Sequence, residues 1–258
     1  MILDEIAKET KERIEKKKKE VPLYLVRERA ENFRNDRSFP FEAALKKPGL
    51  SFICEVKKAS PSKGIIADKF PYLEIAREYE SAGADAISCL TEPFRFLGRD
   101  EYLNEIARLV NIPVLRKDFT VDDYMIYEAK ALGASAVLLI AAILDDVQLK
   151  EWFSLSRELG LSAIMEAHDE KEVERALKAG GNIIGVNNRN LKDFTVDINN
   201  SLRLRSMVPK DKIFVSESGI KTEEDIAALY ANGTDAVLNG ETLMRSDSKE
   251  ALLGRFKR

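Results

Sequence analysis

The chain has 258 residues, 45% of them hydrophobic, which suits one large domain with one sizeable core. Its 41 Lys and Arg against 44 Asp and Glu leave a net charge of −3, with no global attraction for nucleic acid or an anionic membrane. The two cysteines, Cys54 and Cys89, lie in apolar runs without metal or disulfide spacing, so a reducing, cytoplasmic setting with buried thiols is expected.

The N-terminal stretch "MILDEIAKETKERIEKKKKEVPLYL" lacks the apolar segment and small-residue cleavage site of a signal peptide. No run approaches the roughly 18 uninterrupted apolar residues of a membrane span. The lysines Lys16 to Lys19, flanked by Glu12, Glu15 and Glu20, read as a solvated helix face rather than a nucleic-acid patch. Residues 1–48 as a whole read as extra helices packed on the domain that follows.

"SFICEVK" (51–57) is the first strand, followed by the loop "SPSKG". Tyr72, Ile75, Ala76 and Tyr79 then follow the i, i+3, i+4, i+7 spacing of a helix. "SAGADAISCL" (81–90) reads as a helix end, a glycine, a short turn and a second strand, ending at Thr91 and Glu92. "IPVLRKD" (112–118) is the third strand, and Thr120 with Asp123 resembles a capping-box start for the next helix. "ALGASAVLLI" (131–140) repeats the helix-glycine-strand unit, and Leu149, Trp152, Phe153 and Ser156 mark another helix. "ELGLSAIME" (158–166) and "KAGGNIIGVN" (178–187) give the fifth and sixth strands, and "KIFVSESG" (212–219) the seventh. Thr222 with Asp225 is a second capping-box start, for a helix patterned by Ile226, Leu229, Tyr230 and Gly233. "ANGTDAVLNG" (231–240) closes the series.

The helix-stopping glycines Gly83, Gly133, Gly160, Gly180 and Gly233 are 50, 27, 20 and 53 residues apart, one or two units each time. The strands are short, apolar and mostly non-alternating, as parallel strands covered by helices should be. Eight such units at this length predict a single (β/α)8 TIM barrel over 49–258 with an N-terminal helical extension over 1–48.

Active sites of such barrels lie at the C-terminal strand ends. Those ends carry Glu55 and Lys57, Lys117, Glu166, Asn187 and Arg189, and Glu217 and Ser218. With alternate residues facing opposite ways, Ile53, Glu55 and Lys57 share a face, as do Gly185 and Asn187. Charges converging in one partly dehydrated volume shift each other's pKa, which suits acid/base chemistry better than a structural ion-pair plug. Gly219 and Gly240 follow the seventh and eighth strands, where this fold binds phosphate, and Ser60, Ser62 and Lys63 in "SPSKG" add donors.

At these positions "EVKKASPSKG", "ISCLTEPFRFLG", "PVLRKDF", "IMEAHD", "IIGVNNRNL", "SESGI" and "NGETLMR" resemble the indole-3-glycerol-phosphate synthase family, in the family's order, over residues 51–245. The resemblance implies closure of 1-(2-carboxyphenylamino)-1-deoxyribulose 5-phosphate to indole-3-glycerol phosphate with loss of CO2 and water, in tryptophan biosynthesis. It implies no metal or organic cofactor, a phosphorylated small-molecule substrate, and a monomer.

It also implies roles. Lys117 is the general acid. Lys57 binds the anthranilate carboxylate or serves as acid for dehydration. Glu166 is the base of dehydration and rearomatisation, and Glu55 pairs with the lysines. Asn187 and Glu217 hold the ribulose hydroxyls and the lysine network. Arg189, Ser218, Gly219 and Gly240 hold the anthranilate ring region and the phosphate, and Ser60 and Glu241 also bind the substrate. Phe96, Phe119 and Leu138 form the aromatic pocket, although each could instead be plain core, and for Leu138 core is the better reading. Asn239 departs from the family, which has an aliphatic residue there. The only histidine, His168, two residues after Glu166, could act as a proton shuttle but reads rather as a loop residue after the fifth strand. A Schiff-base aldolase using Lys117 or Lys57, and a phospho-ligand binder without chemistry, are the alternatives the residues leave open.

Overall fold

The computed structural model describes residues 2–33, 38–190 and 193–257. Its centre is a closed barrel of β1 (Ser51–Val56), β2 (Ala86–Leu90), β3 (Val114–Lys117), β4 (Ala136–Ile140), β5 (Ser162–Ala167), β6 (Ile183–Asn187), β7 (Ile213–Glu217) and β8 (Ala236–Asn239). Each strand pairs in parallel with the next in sequence, and β8 pairs with β1. A two-residue hairpin, Ala59–Ser60 with Gly64–Ile65, follows β1.

The helices are α1 (Ile2–Glu20), α2 (Leu23–Asn32), α3 (Pro40–Leu45), α4 (Tyr72–Ser81), α5 (Asp100–Leu109), α6 (Tyr124–Ala131), α7 (Asp146–Glu158), α8 (Glu170–Lys178), α9 (Asn199–Leu204), α10 (Glu223–Ala231), α11 (Glu241–Met244) and α12 (Lys249–Phe256). None is long and apolar enough to cross a membrane. The five glycines expected to stop helices all have positive φ, from +71° to +98°.

The alternation of faces along β1 holds. Ile53 joins the inner core with Leu115, Ile164 and Val215, whereas Cys54 and Val56 pack outward under the helices. Burial pushes both cysteine thiols up, leaving them inert.

Two local expectations need correction. Thr222 and Asp225 do form a capping box on α10, but the N-cap of α6 is Asp123, with no side-chain cap, so the Thr120–Asp123 box does not form. Tyr230 does not face the core; it is 59% exposed, because α10 buries Ile226 and Leu229 instead.

The lysine run also differs from expectation. Lys17 pairs with Asp100 and, at 2.6 Å, with Glu128, and Lys18 pairs with Asp122 at 2.6 Å. Arg13 clamps both Asp118 oxygens at 2.9 Å and donates to the Thr91 carbonyl. These bonds tie α1 to the C-terminal ends of β2 and β3, while α3 sits at the opposite end, where Ser51 Oγ donates to Ala44 O. The extension therefore covers both ends of the barrel.

At the hub of the network lies Arg116, 2% exposed, bonded to Asp100 at 2.8 Å and Glu128 at 2.7 Å. Burial works against its charge, and the carboxylates of Asp100, Glu128 and Asp118 outweigh burial and raise its pKa. Arg116→Met is expected to cost about 3–5 kcal/mol, because it strands buried carboxylates. That is a fall on the order of 10 °C in Tm by calorimetry, and an unchanged Tm would rule the network out as a stabiliser.

Candidate active site

At the C-terminal end of the barrel lies a cavity of about 840 Å³. All fifteen residues expected in the site line it: Glu55, Lys57, Ser60, Phe96, Lys117, Phe119, Leu138, Glu166, Asn187, Arg189, Glu217, Ser218, Gly219, Gly240 and Glu241.

The charged floor comes from β1, β3, β5 and β7. Lys57 Nζ is 2.6 Å from Glu55 Oε2, and Ser88 Oγ donates to the other Glu55 oxygen at 3.4 Å. Lys117 Nζ stands 3.0 Å from Glu166 Oε2 and 3.4 Å from Glu217 Oε2. Glu55, Glu166 and Glu217 are at most 4% exposed.

Burial works against the charge of Lys117, but Glu166, Glu217 and Glu55 outweigh it and raise its pKa. Burial likewise disfavours ionised Glu166, yet Lys117 and His168 hold its pKa below the ordinary value. Glu217 differs: burial first, then Glu166 and Glu55, push its pKa up to about 7 against the pull of Lys117. Two carboxyls around one lysine are thus driven apart, one ionised and one exchanging its proton near neutrality.

This has a measurable consequence. Folded Glu217 holds its proton more tightly than an unfolded glutamate near 4.5, so its stabilising contribution is complete below about pH 4.5 and is lost as pH rises to about 7. Glu217→Gln should therefore gain Tm relative to the parent across that window, and parallel Tm curves would contradict it.

Two glycines make room for these groups. A Cβ on Gly185 would collide with Glu217 Oε1 and with Ile164, and one on Gly240 would collide with Glu55 Oε2 and press on Lys57 Nζ at 2.9 Å. Gly240 was expected for its backbone; the space over its α-carbon is also needed by the Glu55–Lys57 pair.

Around the floor, Ser218 and Gly219 are consecutive left-handed residues, with φ of +69° and +83°. Asn188 holds them by donating to Ser218 O at 3.0 Å. Glu241 opens α11 on the cavity wall, and its side chain pairs with Arg245 at 3.2 Å. Lys63, Lys221 and Arg245 are further cations on the cavity wall. Arg189 donates to Ser62 Oγ and to Phe194 O, both at 3.3 Å, bridging the loops after β1 and β6. Asn239 is the last residue of β8, not a strand-interior one, and its amide donates to Ile220 O at 3.0 Å, bracing the loop after β7.

The apolar wall holds Phe96 and Phe119, with ring centroids 6.0 Å apart, and Leu138, which also belongs to the inner core. Sequence reasoning missed part of this wall: Ile2, Leu3 and Ile6 of α1 line the same cavity. The buried Leu3, Ile6, Ala7, Thr10 and Ile14 carry a helical spacing that could have revealed an apolar face, but not what it covers. Glu92, read only as the end of the second strand, has a definite role here. It is fully buried and accepts the backbone N–H groups of Phe94, Arg95 and Phe96, fixing the loop that presents Phe96.

A family model described as indole-3-glycerol phosphate synthase matches residues 3–256. Proteins of that name from Ruminiclostridium cellulolyticum and Endomicrobium trichonymphae are 57% and 56% identical over 257 residues, covering 100% of this chain and 99% and 100% of theirs. One from Lacticaseibacillus paracasei is 54% identical, again over 100% of this chain and 99% of its own length. Among solved structures, a 3-hexulose-6-phosphate synthase matches with a TM-score of 0.64 at 13% identity, over 81% of this chain and 98% of its own. A thiamine phosphate pyrophosphorylase from Pyrococcus furiosus matches at 0.59 and 15%, over 80% and 93%. At those identities the likeness is one of fold.

Proposed function

The chain belongs to the indole-3-glycerol phosphate synthase family, and from that premise we propose how its cavity carries the reaction. The protein is a carboxy-lyase that closes 1-(2-carboxyphenylamino)-1-deoxyribulose 5-phosphate to indole-3-glycerol phosphate, releasing CO2 and water.

In this reading the carboxylate-bearing ring carbon attacks the ribulose carbonyl while Lys117 protonates the carbonyl oxygen. CO2 leaves, and its bonding electrons restore the aromatic ring. The new hydroxyl then departs as water after accepting a proton from Lys117 or Lys57, and ionised Glu166 takes the proton from the adjacent methylene carbon. Lys57, braced by Glu55, holds the carboxylate until it is lost. Glu217 and Asn187 hold the hydroxyls, and Phe96, Phe119 and Leu138 hold the ring. The phosphate lies against Ser60, Arg189 and the backbone of Ser218–Gly219 and Gly240–Glu241. The chemistry asks only for acid and base groups, with neither metal nor organic cofactor.

The observation that carries this reading is Lys117 within 3.0 Å and 3.4 Å of two buried carboxyls, whose pKa values their surroundings shift in opposite directions. A raised pKa does not disqualify the acid, because the alkoxide that would otherwise form is a stronger base than any lysine amine. The same raised pKa makes Lys117 a poor amine nucleophile, which argues against Schiff-base chemistry. As part of the reading, the protein acts as a cytoplasmic monomer without nucleic-acid partners. The assay is indole fluorescence after adding the carboxyphenylamino sugar phosphate, and a purified, folded protein that forms no indole product refutes it.

A further inference from the structure

The reaction consumes protons, and its balance demands a supply. Two protons go to oxygen, one when the carbonyl becomes a hydroxyl and one when that hydroxyl leaves as water. One returns from the methylene carbon. The substrate carboxylate leaves as neutral CO2 and takes no proton with it. Each turnover therefore draws one proton from outside, while the Lys117 side chain is only 15% exposed between two buried carboxyls.

On the side of Glu166 away from Lys117 lies the chain's one histidine. His168 Nε2 stands 3.5 Å from Glu166 Oε1, buried and without a hydrogen-bond partner. The ring is held from the other side: Nδ1 is 2.9 Å from Glu172 Oε2, which also accepts the His168 backbone N–H at 2.8 Å. Asn200 of α9 pins the His168 carbonyl at 3.0 Å. The His168 and Glu172 side chains are each 17% exposed. Lys117, Glu166, His168 and Glu172 thus form a continuous line from the cavity to the surface.

We propose that His168 is the proton store of this enzyme, delivering one proton per turnover through Glu166 to Lys117. This rests on the roles given above to Glu166 and Lys117. The imidazolium Nε2–H passes to Glu166 Oε1, and the Glu166 Oε2 side returns a proton to the Lys117 amine it faces. The neutral ring keeps Nδ1–H on Glu172, and Nε2 regains its proton through Glu166 from water that refills the cavity after product leaves. His168 touches no reacting atom; it acts through Glu166. The charged groups around it suit an imidazolium: Glu166 from β5, Glu172 from α8 and Glu217 from β7, with Lys117 beyond Glu166. Burial opposes the charge, but Glu172 and Glu166 outweigh it and raise the His168 pKa.

The test uses the full chain, with His168→Asn and Glu172→Gln made separately and kcat and KM read by indole formation. His168→Asn is expected to lower kcat about tenfold, less than the roughly 10² of losing a direct general acid, with KM unchanged. Added imidazole should restore kcat in His168→Asn and leave the parent unaffected, which a merely structural histidine would not do. Glu172→Gln should lower kcat in the same direction, and it carries the test if the histidine variant misfolds. An unchanged kcat, or a loss that imidazole does not restore, overturns the store. An active Lys117→Met overturns the underlying acid assignment and the store with it. An inactive Lys117→Met beside an unaffected His168→Asn overturns the store alone.

Discussion

Lys117→Met is expected to lower kcat by about 10²–10⁴-fold, with substrate binding largely retained. Methionine keeps most of the stem and removes the ammonium, so the developing alkoxide at the ribulose carbonyl loses its proton source. The variant also removes the cation from between Glu166 and Glu217, 3.0 Å and 3.4 Å away. Glu217, already pushed up to about 7 by burial and its carboxylate neighbours, then loses the one group that pulled it down, and stays protonated at neutral pH. That protonation limits the stability loss, so a folded, inactive protein is the expected outcome. Steady-state indole formation checks the rate, and isothermal titration with product checks binding. A kcat within tenfold of the parent would remove Lys117 from the role of general acid.

The second large effect is at Glu166. Glu166→Gln keeps an oxygen for Lys117 and removes the base, and kcat should fall by about 10²–10³-fold with little change in KM. Loss of the methylene proton should then limit the rate. Substrate dideuterated at that methylene should show a primary isotope effect on kcat in the variant that is larger than in the parent. The substitution also deletes the charge that most raises Glu217 after burial, so Glu217 should titrate lower. An isotope effect that is no larger than the parent's would move the proton abstraction to another group.

Much of this is legible in the amino-acid sequence. Glycine at helix ends and short apolar runs are one-dimensional signals, and they located all eight strands in order. Period-two alternation put Glu55 and Lys57 on one face of β1, and that face is the cavity. At the N-terminal lysines the local reading failed because tertiary contacts had won. The Lys16 to Lys19 run resembled solvated surface because its partners Asp100, Asp122 and Glu128 lie 83 or more residues away. Thr120 offered a cap that α6 does not use, taking Asp123 as its N-cap instead. Asn239, a poor residue for a strand interior, sits at the end of β8 with its amide on the Ile220 carbonyl.

The sequence by itself determined the architecture, the strand ends and the list of polar groups that converge there, because periodicity, turn chemistry and side-chain direction are set by neighbours along the chain. Only the tertiary structure decided which of those groups meet. Barrel closure brings Lys117 to Glu166, 49 residues on, and turns Gly185 and Gly240 into empty spaces that Glu217 and the Glu55–Lys57 pair occupy. It also lays α1 across the mouth and sets His168 behind Glu166. Those facts, and the protonation states that follow from them, depend on burial and on distances between charges, quantities that exist only once the barrel is closed.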